Sequence, residues 1–210
     1  GLPREAVFLT SKVWNTDRGY APTKAAFQAT LDRLGTDYLD LYLIHMPYGD
    51  YHGSWRAMET LLQAGRVRAI GVCNFLPDRL VDLILTHSVV PAVNQIELHP
   101  LYQERDLCAY CRENGIRLVA WGPLFRGKLM QHPAIVEIAA AHGKTPGQVI
   151  LRWHIQKGHI AIPKSSNESR IHENGDVFSF ILTPDDMDRI DALDCGEHIG
   201  DDPYTFTGIK

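Results

Sequence analysis

Cysteine is scarce in this 210-residue chain: the four residues at 73, 108, 111 and 195 are too few and too scattered to staple it, which excludes a disulfide scaffold and fits a reducing compartment. No apolar run approaches the ~20 residues of a membrane span, and no signal-peptide core stands near the N-terminus, so a cytoplasmic location without membrane contact is expected. Nor is there a basic cluster. With 21 Lys and Arg against 25 Asp and Glu the net charge is −4, which argues against nucleic acid or an anionic membrane as the main partner. Despite ten histidines there is no HExxH and no close His/Cys/Asp/Glu set, so no metal is expected. His52, His87, His99, His132, His142, His154, His159, His172 and His198 read as surface or packing residues. Cys108 and Cys111 form a CxxC inside a helical run, unmatched by a second pair, and read as core rather than redox.

What the chain does have is alternation. Six apolar segments of strand length each lead to a polar or aromatic residue: Val7–Thr10 to Lys12, Leu39–Ile44 to His45, Ala69–Val72 to Asn74, Ala92–Val93 to Gln95, Arg117–Ala120 to Trp121, and Ile160–Ile162 to Lys164. Helical periodicity lies between them, over Pro22–Leu34, Ser54–Ala64, Pro77–His87, Gln103–Asn114, Pro133–His142 and Pro146–Gln156. Thr145-Pro146-Gly147-Gln148 is a capping box with proline at the first helical position, and Gly35, Gly65, Gly115 and Gly143 stand where helices end. The pattern is that of a parallel α/β enzyme with its chemistry at the strands' C-terminal edge. No GxGxxG follows any strand, which removes the main support for a Rossmann sheet. The pitch of about 25 to 35 residues per unit instead predicts a single (β/α)8 TIM-barrel domain, of which about six units are present and the first two are missing, with 196–210 as a C-terminal loop. Two absent units would expose strand edges and favour self-association.

The chemistry-bearing residues follow from placement. Asn167 reads as the N-cap of a helix whose start, with Lys164, Ser165 and Arg170, makes an anion site; a solvated loop before a capped helix is the competing reading. Arg170, Glu173 and Asn174 share a helix face, which favours a ligand. Lys12 can depress a neighbouring acid's pKa, form a Schiff base as in an aldolase, or lie on the surface. His45 can polarise a carbonyl or satisfy itself inside the core. Trp121, before Gly122-Pro123, can be core or a stacking surface for a flat heterocycle. Lys164 is a second candidate for Schiff-base chemistry.

Five runs in order resemble the aldo-keto reductase family, over nearly the whole chain, and within it the bacterial branch that includes 2,5-diketo-D-gluconate reductases. They are Leu9–Asn15, Asp40–Pro47, Gly65–Phe75, Val93–Pro100 and Ile162–Ser165. The resemblance implies a (β/α)8 barrel that binds extended NADPH or NADP and reduces aldehyde, ketone or keto-sugar carbonyls, as a monomer when full length. It implies that Lys12 and His45 are the catalytic lysine and histidine. It also implies that Cys73, Asn74 and Gln95 hold the nicotinamide carboxamide, that Trp121 stacks on its ring, and that Gly122, Pro123, Leu124, Lys164, Ser165, Ser166, Asn167, Arg170, Glu173 and Asn174 hold the rest of the cofactor. Trp14, Met46, Tyr48 and Tyr204 or Phe206 then line the substrate pocket. Cys73 stands where serine is usual, Met46 where tryptophan is frequent, and Asn167 where Arg or Thr is frequent. The family's catalytic tyrosine and aspartate match nothing here, and Tyr20, Tyr48 and Tyr51 sit in no such motif. A catalytically impaired NADP(H)-binding remnant is therefore the alternative.

Overall fold

The computed structural model describes residues 1–203, 205 and 206. Six strands alternate with helices: β1 (Thr10–Val13), α1 (Tyr20–Leu34), β2 (Leu39–Ile44), α2 (Tyr51–Gln63), β3 (Val67–Cys73), α3 (Pro77–Thr86), β4 (Val93–Glu97), α4 (Arg105–Glu113), β5 (Arg117–Trp121), α5 (Pro133–His142), α6 (Pro146–Gln156), β6 (Ile160–Ala161), α7 (Glu168–Gly175) and α8 (Pro184–Asp191). The strands are hydrogen-bonded in sequence order. Pairing is parallel for β1 with β2, β2 with β3 and β5 with β6. This is the strand order of a (β/α)8 barrel wall, six units of which are present. By its contacts the chain divides into two compact units, one of Gly1–Asn94, Tyr110–Ile116 and the described part of Asp201–Lys210, the other of Gln95–Ala109 and Arg117–Gly200.

In the first unit β2 is buried at every residue, as a parallel strand covered on both faces must be. Helix α1 turns Thr23, Phe27, Thr30 and Leu31 inward, an i, i+4, i+7, i+8 stripe, and Phe27 meets Tyr42 edge-on at 5.1 Å. Asp40 is buried and ties three segments together: it accepts from Arg4 at 2.8 Å and the Leu9 N–H at 2.9 Å, and pairs with Arg68 at 3.1 Å. Gly71 stands in the middle of β3, where a Cβ would come within 2.6 Å of the Val93 carbonyl oxygen and 2.9 Å of Leu43 Cδ2; only glycine lets the backbone approach so closely.

The second unit is built around Phe125, Leu129, Ile135, Ile138, Val149, Ile150, Trp153, Leu182 and Ile190. Helix α6 starts with the expected capping box, the Thr145 side chain accepting from the Gln148 N–H while Gln148 reaches back to the Thr145 N–H. Helix α8 repeats the device with Thr183 and Asp186.

Several element ends shift by a few residues from expectation, and two of these strand differences bear on the site. Strand β1 begins at Thr10, not Val7, because Leu9 spends its N–H on the Asp40 carboxylate and its carbonyl on the Asp40 and Leu41 N–H groups, while Phe8 stays 70% exposed. Lys12 therefore lies within the strand instead of beyond its end. Strand β4 runs Val93–Glu97 and places Gln95 at its centre; the buried polar residues Asn94, Gln95 and Glu97 break the apolar run that marks a strand in sequence.

Candidate active site

Register sets Lys12, within β1, and His45, just past the end of β2, on neighbouring strands. Lys12 pairs with Leu43 and Val13 with Ile44, so His45, the next residue, donates its N–H to the Val13 carbonyl at 3.2 Å. The imidazole is half-buried and meets the Trp14 ring edge-on at 4.7 Å. Burial, with the cations Lys12 and Arg18 nearby, pushes its pKa down to about 4. His45 is thus a neutral hydrogen-bonding group at physiological pH, not a charge.

Arg18 is a member of this site that the sequence did not reveal. Its guanidinium donates to the Val13 carbonyl at 3.2 Å, to Asn15 Oδ1 at 3.0 Å and to the Met46 carbonyl at 2.7 Å. It therefore grips the residue that receives the His45 N–H and the residue that follows His45. Burial lowers its pKa to about 10, which still leaves it fully charged at neutral pH.

Asn74 follows β3 with φ +59°, in the left-handed region that asparagine tolerates better than most residues. Its Nδ2 donates to the His45 carbonyl at 3.3 Å and contacts Met46 Sδ at 3.1 Å. The next residue is locked by Asn94, whose side chain donates to the Phe75 carbonyl at 2.7 Å and accepts the Phe75 N–H at 3.4 Å. Cys73 is buried, and burial pushes its thiol up to about 12, so it is a neutral thiol. Tyr48 donates to the Pro203 carbonyl and stacks with Phe206 at 6.1 Å; Pro47, Tyr48, Leu76, Arg79 and Pro203 line a small cleft there. Tyr204 lies outside the described residues. Tyr20 and Tyr51 are engaged elsewhere, with Thr60 and Asp82.

In the second unit a cavity of about 660 Å³ gathers eight of the expected cofactor residues: Gly122, Pro123, Leu124, Lys164, Ser165, Arg170, Glu173 and Asn174. Arg126, Gly127 and Met130 join them unannounced by any motif, with Thr145 of the capping box and Ile162 of the last resembling run. Asn167 caps α7, its side chain accepting the Arg170 N–H at 3.2 Å, and so shapes the cavity without lining it. Among the described residues the Lys164 and Arg170 side chains make no ion pair; both are exposed. Two uncommitted cations beside a capped helix start fit a phosphate-bearing cofactor. Ser166 is exposed and outside this lining. Trp121 closes β5, half-buried, and Gly122 after it takes φ +64° to turn the chain into the cavity wall.

Comparison with known proteins agrees with this geometry. The aldo/keto reductase family matches residues 2–194. Glyoxal reductase of Bacillus subtilis is 50% identical over 204 residues, covering 97% of this chain and 74% of the relative. Morphine 6-dehydrogenase of Pseudomonas putida is 47% identical over 219 residues, covering 97% and 74%. A crystal structure of a Gox0644 variant in complex with NADPH superposes with a TM-score of 0.95 at 42% identity, covering 98% of this chain and 77% of that one. The chain belongs to the aldo/keto reductase family, NADP(H)-dependent oxidoreductases that interconvert carbonyl groups and alcohols.

Proposed function

We propose that the chain reduces small aldehydes, ketones or keto-sugars at the expense of NADPH, with Lys12 and His45 acting on the carbonyl. The observation that carries the cofactor choice is the uncommitted pair Lys164 and Arg170 lining the cavity, where a 2′-phosphate finds two cations and the amides of the α7 start. Bound NADPH supplies the hydride. His45, neutral and fixed by Val13, offers its imidazole as a hydrogen-bond donor that orients a carbonyl oxygen. The Lys12 ammonium adds positive charge where oxygen charge grows during reduction and supplies the proton that, with the hydride, completes the alcohol, regaining one from solvent. Asn74 and Gln95 hold the carboxamide, Trp121 carries the ring, and Trp14, Met46, Tyr48 and Phe206 shape the substrate side. Relatives named for glyoxal and for morphine support a carbonyl or secondary alcohol as the reacting group. A cytoplasmic monomer belongs to the same reading; four cysteines without a disulfide support the reducing compartment.

The test is titration with NADPH and NADH alongside loss of NADPH absorbance over a panel of aldehydes, ketones and keto-sugars. Lys164→Ala and Arg170→Ala should each weaken NADPH by about tenfold and leave NADH little changed, the loss of one charge-assisted phosphate contact. Equal weakening of both cofactors would refute the phosphate assignment, and absence of turnover across the panel would refute the reductase reading.

A further inference from the structure

Glu97, the last residue of β4, uses both carboxylate oxygens within the second unit. It is only 6% exposed, and three donors converge on it. The His99 Nε2 stands at 2.9 Å and the Ile199 N–H at 2.7 Å from Oε1, while the Gly200 N–H reaches Oε2 at 2.8 Å. A carboxylate only accepts, so His99 Nε2 carries the proton in that bond. Burial opposes ionisation, but the His99 bond and the two backbone N–H groups outweigh it and hold the carboxyl below its usual range. One anion thus grips the amides of two consecutive residues about a hundred positions downstream.

The gripped segment runs against Trp121. A Cβ built on Gly200 would lie 2.6 Å from Cη2 and 2.8 Å from Cζ2 of the indole, and 2.8 Å from Glu97 Oε2. No side chain fits between strap and ring. Ile199 also approaches from the same segment, its Cδ1 lying 3.4 Å from where a Cβ on Gly122 would stand. The benzenoid edge of the indole is therefore bounded by backbone whose position a buried carboxylate sets.

We propose that Glu97 is a positioning residue for Trp121: by strapping Ile199 and Gly200 against the indole it fixes the plane on which the nicotinamide ring stacks. The proposal deepens the reductase reading, since the stacking role of Trp121 rests on that reading. Glu97→Gln replaces one acceptor with an NH2 group that must face a backbone N–H, so one of the two grips is lost. Gly200→Ala forces the strap off the ring while keeping the carboxylate.

Incorporating fluorotryptophan tests this, because Trp14, Trp55, Trp121 and Trp153 give four fluorine NMR lines assignable by single Trp→Phe changes. In Glu97→Gln and in Gly200→Ala the Trp121 line should shift or broaden while the other three stay, and the NADPH dissociation constant should rise about threefold to tenfold. Glu97→Asp, one methylene shorter but still an anion, should fall between. An unmoved Trp121 line overturns the proposal, as does a concerted shift of all four lines, which would make Glu97 a support of the fold rather than of the ring. Gly200→Ala gives the same readout if Glu97→Gln fails to fold. Should the unaltered protein bind no NADPH, the reductase reading falls, while the Trp121 line still decides whether Glu97 positions the ring.

Discussion

Charge is handled in opposite ways around His45 and around Arg170. Near His45 the cation Arg18 is spent on two backbone carbonyls and Asn15, and the histidine itself is kept neutral. Arg170, on a helix with no buried residue, lines an open cavity with Lys164, and the two make no ion pair among the described residues. The difference separates two tasks. A group that polarises a bond must sit in a fixed field before substrate arrives, so its surroundings are packed and the neighbouring cation is committed to fixed partners. A group that captures an anion must have charge to give, so it is left exposed and the helix cap supplies the geometry.

The sharpest way to break this contrast is Lys12→Met. It should lower turnover about a thousandfold while leaving NADPH affinity nearly unchanged, within the range set by removing one positioned electrostatic group. Because Lys12 helps hold His45 down, the imidazole should titrate above its present value of about 4, which NMR of labelled histidine would read. A Lys12→Met enzyme with normal turnover would mean that the packed region does not perform the chemistry.

Asp40 probes what the packing itself contributes. Asp40→Asn leaves Arg4 and Arg68 facing a neutral group in a buried position, a loss of about 3 kcal/mol in denaturant unfolding. Burial raises the carboxyl's pKa, but the Leu9 N–H and Arg4 outweigh it, and the folded value lies below the ordinary 3.8. The sign follows: the stabilisation is complete above the unfolded value and is lost as pH falls through the folded one. Melting temperature should therefore decline more steeply below about pH 4 in the parent than in Asp40→Asn, consistent with a single depressed carboxylate; parallel profiles would remove Asp40 from the account.

The smallest expected effect belongs to the tail. Phe206→Ala removes the ring that stacks on Tyr48. If Phe206 faces the substrate as proposed, the change should alter the substrate ranking and raise KM a few-fold, with the NADPH dissociation constant held within about threefold. Equal losses of substrate and cofactor affinity would blur the two regions into one.

Local signals in the sequence locate much of this molecule. Six helices beginning or ending near proline, glycine or a capping threonine fall close to where those residues put them, and α5 and α6 match at both ends. Helix α8 escapes notice because its capping box uses Asp186 in place of Glu or Gln and only Asp186 and Ile190 are buried. Register is invisible in the same way: nothing in Val7 or Phe8 says that the ladder with β2 starts three residues later. The cavity side chains after β6 are legible because they are contiguous and polar. Arg18 and Glu97 are not, since burial of a charge depends on partners 28 or about a hundred residues away.

Gly71 carries a consequence for any lineage or library built on this scaffold. Most crowded positions can drift if a neighbour shrinks, and the Leu43 and Val93 side chains could do so. The nearest atom to a new side chain at 71, however, is the Val93 carbonyl oxygen, which no substitution removes. The position thus has no compensating partner, and randomisation that spares function should recover glycine there while the cavity rim a few strands on diversifies.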